Sequence, residues 1–222
     1  MKAVFFDLDG VLIDTEPRYS RFWREAAEEC GFAMTYEESL ALRSLDAGLA
    51  RERFLKQYGS DVYVLLRETR KRRMEEYRKD HPVMEKKGAR AILEHLKESG
   101  IPYYIVTASS LSRAERHMRD AHLPWDASRL ISTKSVGRGK PYPDVYLEAV
   151  RTAKLKPEEV LAVEDSPNGI KSAHAAGCLA VMIPDLTEAT EEDKSLCYRI
   201  CSDLDELWEM IKEEQKAGGT HL

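Results

Sequence analysis

The chain has 222 residues, of which 43% are hydrophobic and 33% charged, a composition that excludes a disordered segment and a membrane-embedded one. A formal net charge of −5 argues against nucleic acid or an anionic membrane surface as the main partner. No apolar run approaches the roughly 18 residues of a spanning helix, and Asp7 and Asp9 interrupt the N-terminal apolar run too early for a signal peptide.

The first element is a strand, Ala3–Phe6, that runs into Asp-Leu-Asp-Gly. Residues two apart in a strand point to one side, so Asp7 and Asp9 are expected to crowd at its end. Two such carboxylates repel each other unless a cation relieves them. After this strand the next strand-like run does not arrive until Tyr103. From about Pro17 to His81 the chain is helix-prone and charged, as in SRFWREAAEECGF, ARERFLKQYG and DVYVLLRETRKRRMEEYRKD. A stretch that long reads as an inserted helical domain, residues 16–82, lying as a lid over a core made of residues 1–15 and 83–222.

The remaining elements alternate. The helix KKGARAILEHLKESG stops at Gly100, with Pro102 beyond it, and Tyr103–Val106 follows as a strand. SLSRAERHMRDAHL and PDVYLEAVRTAKL are helices, the second entered through Pro143 and Asp144. Leu161–Val163 is a strand, SPNGIKSAHAAG a helix from Ser166 to Gly177, and Leu179–Ile183 a further strand. Such alternation implies an α/β fold with a doubly wound parallel sheet, whose ligands bind beyond the carboxyl ends of the strands. GRGKP and the tail KEEQKAGGTHL read as flexible. Cys30, Cys178, Cys197 and Cys201 lack C-x-x-C spacing and are expected to be reduced thiols of a cytoplasmic protein.

Polar groups recur where the strands end. Asp7 and Asp9 precede Gly10, which permits a tight turn. Thr107 opens VTASS, Lys140 sits in GKPYPD before a helix, and Glu164 and Asp165 end LAVED. Brought to one sheet edge, the carboxylates suit a hard ion such as magnesium, and the ion with lysine and threonine suits a phosphoryl group. Asp-x-Asp alone is weak: Asp203 and Asp205 repeat it, but with no apolar strand before and no glycine after they read as a helix cap and first-turn charges.

FDLDGVLIDTEP, VTASS, GKPYPDVY and VEDSPNGI resemble, in order, the four motifs of the haloacid dehalogenase superfamily. The nearer resemblance is to its branch of sugar-phosphate phosphatases and β-phosphoglucomutases, with a helical cap after the first motif. That resemblance implies a Rossmann-like core and a magnesium-dependent enzyme. Asp7 would be the nucleophile that forms an aspartyl-phosphate, and Asp9 the acid and then the base. Magnesium would be held by Asp7, the Asp9 backbone carbonyl and Asp165, with Glu164 binding it directly or through a ligand. Thr107 and Lys140 would hold the phosphoryl oxygens, with Ala108 and Ser109 beside the substrate. A carboxylic acid at Asp9 favours phosphoryl transfer over dehalogenation, because a halide leaves without a proton.

Two departures favour water as the acceptor over a second sugar hydroxyl. Tyr19, beside Arg18, stands where resembling mutases carry a histidine, and Ala47 stands where they carry a cap arginine. The mutase remains the alternative. A phospho-receiver, which would need no insert, and a protein that only binds phosphorylated ligands are more distant ones. Arg67, Arg70, Lys71, Arg72 and Arg73 crowd one cap segment and read first as a solvated face. If one of them grips the substrate, Arg73, four residues before Tyr77, matches a basic cap residue of the mutases. Arg18, Tyr19 and Ser20 are the hinge candidates, whereas Trp23 and Phe54 are expected in the cap core. The expected partner is a small phosphorylated metabolite, and the lid architecture works as a monomer.

Overall fold

The computed structural model describes residues 1–218, and 219–222, the end of the tail, lie outside the described residues. Six strands, β1 (Ala3–Phe6), β2 (Tyr103–Thr107), β3 (Leu130–Ser132), β4 (Val160–Glu164), β5 (Leu179–Met182) and β6 (Arg199–Ile200), form one sheet in the order β3-β2-β1-β4-β5-β6. Every pairing is parallel, and Phe6 lies opposite Ile105 on one side and Val163 on the other.

The central strand is buried on both faces. Val4 and Phe6 pack with Ile92, Leu93 and Leu96 of α5 (Ala89–Glu98), Met118 of α6 (Leu111–Asp120) and Ile211 of α10 (Leu204–Gly218). Ala3 and Phe5 face the opposite layer, with Tyr146 and Ala149 of α7 (Asp144–Ala153) and Ile170 and Ala173 of α8 (Pro167–Ala175). A slip of one residue would exchange these two sets and carry Asp7 off its place, so the apolar register also fixes the acid. The doubly wound parallel sheet is as expected from the alternation of elements.

Between β1 and α5 lie α1 (Glu16–Glu29), α2 (Tyr36–Leu40), α3 (Ala47–Tyr58) and α4 (Tyr63–Arg78). They share an apolar cluster of their own around Trp23, Phe54 and Leu66, with the rings of Trp23 and Phe54 edge to face at 5.5 Å. The two chain segments joining this cap to the sheet run side by side. The Asp14 amide donates to the Met84 carbonyl and the Lys86 amide to the Leu12 carbonyl, both at 2.9 Å.

Some elements escaped the sequence reading. β3 and β6 are three and two residues long at the sheet edges, too short for a pattern. α2 carries a readable signal, a capping box in which Thr35 accepts from the Glu38 amide while Glu38 accepts from the Thr35 amide. α9 (Glu191–Leu196) starts in the same way at Thr190. GRGKP, expected to be loose, is tied to the cap: the Gly139 amide donates to Asp46 Oδ2 at 2.8 Å and the Asp46 amide to the Lys140 carbonyl at 2.7 Å. The tail, also expected to be loose, continues α10 as far as Gly218. Asp203 caps that helix, accepting from the Asp205 and Glu206 amides. The four cysteines are free thiols, and no helix among the described residues is long and apolar enough to cross a membrane.

Candidate active site

The site begins where β1 runs out. The Asp7 amide still donates to the Val163 carbonyl at 2.9 Å, and Gly10, at φ +86°, then turns the chain. A Cβ at Gly10 would lie 2.5 Å from Asp165 Oδ2, so glycine lets the turn close onto that carboxylate. Asp7, Glu164 and Asp165, all buried, offer oxygens within 4.8 Å of one another. Lys140 Nζ, also fully buried, lies 2.6 Å from Asp7 Oδ1 and 2.5 Å from Glu164 Oε1, and donates to the Val106 carbonyl at 3.3 Å. The Tyr146 hydroxyl donates to the same Glu164 oxygen.

One ammonium cannot offset three buried carboxylates. Burial pushes the Asp7 carboxyl up to about 8, against the pull of Lys140 and with the repulsion of Glu164 and Asp9. Burial likewise pushes Asp165 up to about 7, opposed by Arg43, and raises Glu164 against Lys140. Lys140 shows the converse: burial lowers it, but Asp7 and Glu164 outweigh burial and hold it above its ordinary value.

Asp9 belongs to a different network. Its Oδ1 accepts from the Thr15 hydroxyl at 2.6 Å and its Oδ2 from the Ser109 hydroxyl at 2.7 Å. Arg113 Nη2 donates to that serine at 2.8 Å, and His117 Nδ1 stands 3.9 Å from Asp9 Oδ1. Burial raises the Asp9 carboxyl, but His117, Arg113 and the two hydroxyls prevail and hold it below its ordinary value. Thr107 ends β2 fully buried, where its hydroxyl accepts from the Ser109 amide at 3.0 Å and shapes the turn that presents Ala108 and Ser109.

Asp7, Asp9, Ala108 and Ser109 line one cavity between core and cap. The cap contributes Tyr19, whose buried hydroxyl has no partner, together with Ser20, Trp23 and Ala47. Its cations on this cavity are Arg43 and Arg70, the latter 4.2 Å above the Trp23 ring and 5.1 Å from the Tyr19 ring, flanked by Arg67 and Lys71. Arg73 lies elsewhere: it pairs with Glu25 at 2.6 Å and Glu29 at 2.7 Å on α1, whose acids face it one helical turn apart, and it does not line the cavity. Arg18 clamps the linker, donating to the carbonyls of His81 at 2.8 Å and Pro82 at 3.0 Å, and reaches only an adjoining cavity. Trp23 is both cap core and cavity wall.

Several site residues were not singled out from the sequence. Arg113 and His117 follow Ser109 at four-residue intervals, a spacing that places them on one face toward Asp9. Glu16, near the end of the first motif, is buried with Oε2 unpartnered, and burial with Asp165 and Asp9 nearby raises its carboxyl. Arg43 gave no signal; it comes from the loop between α2 and α3 and meets Asp165.

A parallel sheet with a buried acid cluster and a lysine beyond its strand ends, roofed by helices inserted after the first strand, defines a class of α/β enzyme. The chain belongs to the haloacid dehalogenase-like hydrolase family, whose description matches residues 1–177. It is 34% identical over 182 residues to hexitol phosphatase A of Escherichia coli (strain K12), covering 82% of each chain. It is 28% identical over 192 residues to β-phosphoglucomutase of Bacillus subtilis (strain 168), again covering 82% of each. The fold is shared with a hydrolase from Pseudomonas syringae, at a TM-score of 0.83 and 20% identity, over 96% of this chain and 99% of the other.

Proposed function

We propose that the protein is a magnesium-dependent phosphatase that hydrolyses a small phosphorylated metabolite, a sugar phosphate, through an aspartyl-phosphate on Asp7. The observation that carries this reading is the separation of two buried aspartates that share one cavity. Asp7 sits with Lys140 and the acid cluster, while Asp9 is held two residues on by Thr15 and Ser109. The kinship with hexitol phosphatase A supports the substrate class.

The acid cluster fits magnesium. Its donors are all carboxylate oxygens, and Asp7 Oδ2 and Glu164 Oε2 are buried without a partner. Asp7 and Asp165 would hold the ion, with the Asp9 carbonyl, and Glu164 would lie beside it. Bound there, it would supply positive charge to the phosphoryl oxygens and to the carboxylates.

In the first half-reaction an Asp7 oxygen bonds to phosphorus while the bond to the ester oxygen breaks. That oxygen leaves with a proton from Asp9. Since Asp9 is held ionised by its neighbours, it takes up this proton as the anionic substrate arrives. In the second half-reaction water attacks phosphorus, Asp9 accepts its proton, and the Asp7–phosphorus bond breaks to free phosphate. Splitting the transfer replaces one difficult step by two easier ones, and the acid–base help is worth roughly 10²–10⁴-fold. Lys140 and Thr107 serve the phosphoryl end, Lys140 by softening repulsion between Asp7 and the substrate.

The test is phosphate release from a panel of phosphorylated sugars and polyols with magnesium or with chelator. Asp7→Asn is expected to abolish turnover and Asp9→Asn to stall it, both with an intact fold. A full-rate Asp7→Asn refutes the nucleophile. Conversion of β-glucose 1-phosphate into glucose 6-phosphate without free phosphate would make the enzyme a mutase instead.

A further inference from the structure

Helix α4 sorts its cations by side. Away from the cavity, Arg72 pairs with Glu29 and Arg73 with Glu25 and Glu29, while Arg78, on the adjoining cavity, pairs with Glu75 and Asp120. Facing the cavity, Arg70 makes no ion pair among the described residues, and its Nε is buried without a partner. Its guanidinium carbon stands over Trp23, 4.2 Å from the ring centroid, a cation–π contact that holds the group at the cavity wall.

Further cations surround it, none in a direct ion pair with an acid of the cavity, although Asp9, Glu75 and Glu16 lie near enough to attract Arg113, and Asp46 to attract Lys134. Arg67 and Lys71 share only the outer Glu68, Arg113 bonds to a serine hydroxyl, and Lys134 makes no ion pair among the described residues. These groups are close enough to oppose one another. Arg70 is pushed down to about 10 by burial, with Arg113 and Arg67 adding repulsion, and Lys134 is lowered by burial and then by Arg67 and Arg113. The acids lining this cavity, Asp7, Asp9 and Glu16, belong to the catalytic end. A half-buried guanidinium whose Nε is buried without a partner is costly, and cation–π contact returns only about 0.5–2 kcal/mol of that. A hydroxyl-rich ligand would leave the repulsion in place, whereas an anion removes it.

We propose that Arg70, with Arg113 and Lys134 opposite, binds a second anionic group of the substrate, a carboxylate or second phosphate remote from the phosphoryl group that is transferred. This rests on the phosphatase reading and narrows it. The guanidinium edge suits the two oxygens of either anion.

Two substrate pairs separate the second charge from the rest of the ligand. 6-Phosphogluconate and sorbitol 6-phosphate differ in a carboxylate against a hydroxymethyl group, and glucose 1,6-bisphosphate and glucose 1-phosphate differ in a phosphate. The wild type is expected to favour the charged member of at least one pair by about tenfold or more in kcat/KM. The pair that responds tells carboxylate from phosphate. Arg70→Met is expected to bring that ratio within about threefold, and Arg70→Lys to restore part of it. Equal or reversed preference in both pairs overturns the proposal, and so does a preference that survives Arg70→Met. The wild-type ratios need no variant, so misfolding of Arg70→Met leaves the test standing. Turnover of p-nitrophenyl phosphate separates the two failures. If it is hydrolysed without any preference, only the second-anion site is lost; if neither it nor any pair member is hydrolysed, the phosphatase reading falls and takes the site with it.

Discussion

Arg43 Nη1 lies 3.3 Å from Asp165 Oδ2, with both side chains buried, although 122 positions separate them. The same guanidinium donates to the Thr187 hydroxyl, and the Arg43 carbonyl accepts from Asn168 at 2.9 Å. A cap loop is thereby docked on Asp165, one of the three buried carboxylates that cluster beyond the strands. Arg43→Ala is expected to lower kcat/KM by at least about tenfold, because a buried charge pair is broken and the loop loses its seat. Arg43→Lys should recover only part, since an ammonium cannot span both partners. Steady-state kinetics decides, and a wild-type rate in Arg43→Ala would show that docking here is dispensable.

Lys140 is the only cation that the buried pair of Asp7 and Glu164 touches among the described residues. Removing it in Lys140→Met leaves two carboxylates facing each other in a dry site, at a cost of about 3–5 kcal/mol. Chemical denaturation at pH 9, above the raised Asp7 value of about 8, should show that loss in chelator, with magnesium restoring part of it by replacing the missing charge. Undiminished stability in chelator at that pH would mean that the lysine is not what holds the acids.

Gly169 is a spatial requirement of the same cluster. It sits in the first turn of α8, its amide bonded to Ser166 Oγ at 3.2 Å, and a Cβ there would stand 1.9 Å from Glu164 Oε2. Since Lys140 and Tyr146 pin the other Glu164 oxygen, the carboxylate has no easy retreat. Gly169→Ala is therefore expected to destabilise by about 1–3 kcal/mol, as overpacking does, and to weaken magnesium binding. A thermal melt with and without magnesium reads both effects, and an unchanged magnesium response would show that Glu164 can move aside.

What the sequence disclosed and what it hid follow the range of each signal. The strand-end acids were legible because an apolar run that stops on a carboxylate has no local use for it. Thr107 and Lys140 gained meaning from their order along the chain. Arg70 and Arg73 lie on neighbouring parts of one helix, so spacing could not tell them apart. Glu25 and Glu29, on another helix, made the choice by capturing Arg73. Arg43 was invisible for the same reason, its partner being set by the docking of the cap. Arg113 and His117 were within reach of the four-residue rule. Asp7 and Asp9 were expected to crowd at one strand end; the strand stops at Phe6, and the turn at Gly10 gives each its own partners.

Burial leaves the acid cluster holding protons that a bound divalent cation would displace. Asp7 is raised to about 8 and Asp165 to about 7, from ordinary values of 3.8, with burial as the main cause in both. Between about pH 4 and pH 8 the folded protein therefore holds more protons at these groups than the unfolded chain, and their contribution to stability falls as pH rises through that window. A bound divalent cation needs the ionised forms, so its binding releases protons and strengthens with pH by up to about tenfold per unit for each proton displaced. The magnesium-induced rise in melting temperature is expected to be small at pH 5.5 and large at pH 8. Calorimetric titration in two buffers of different ionisation enthalpy should find between about one and two protons released per ion near pH 6.5. A magnesium shift that is the same at both pH values, with no proton release, would mean that the carboxylates are already ionised in the free protein, and that Lys140 and Arg43 balance the cluster without the metal.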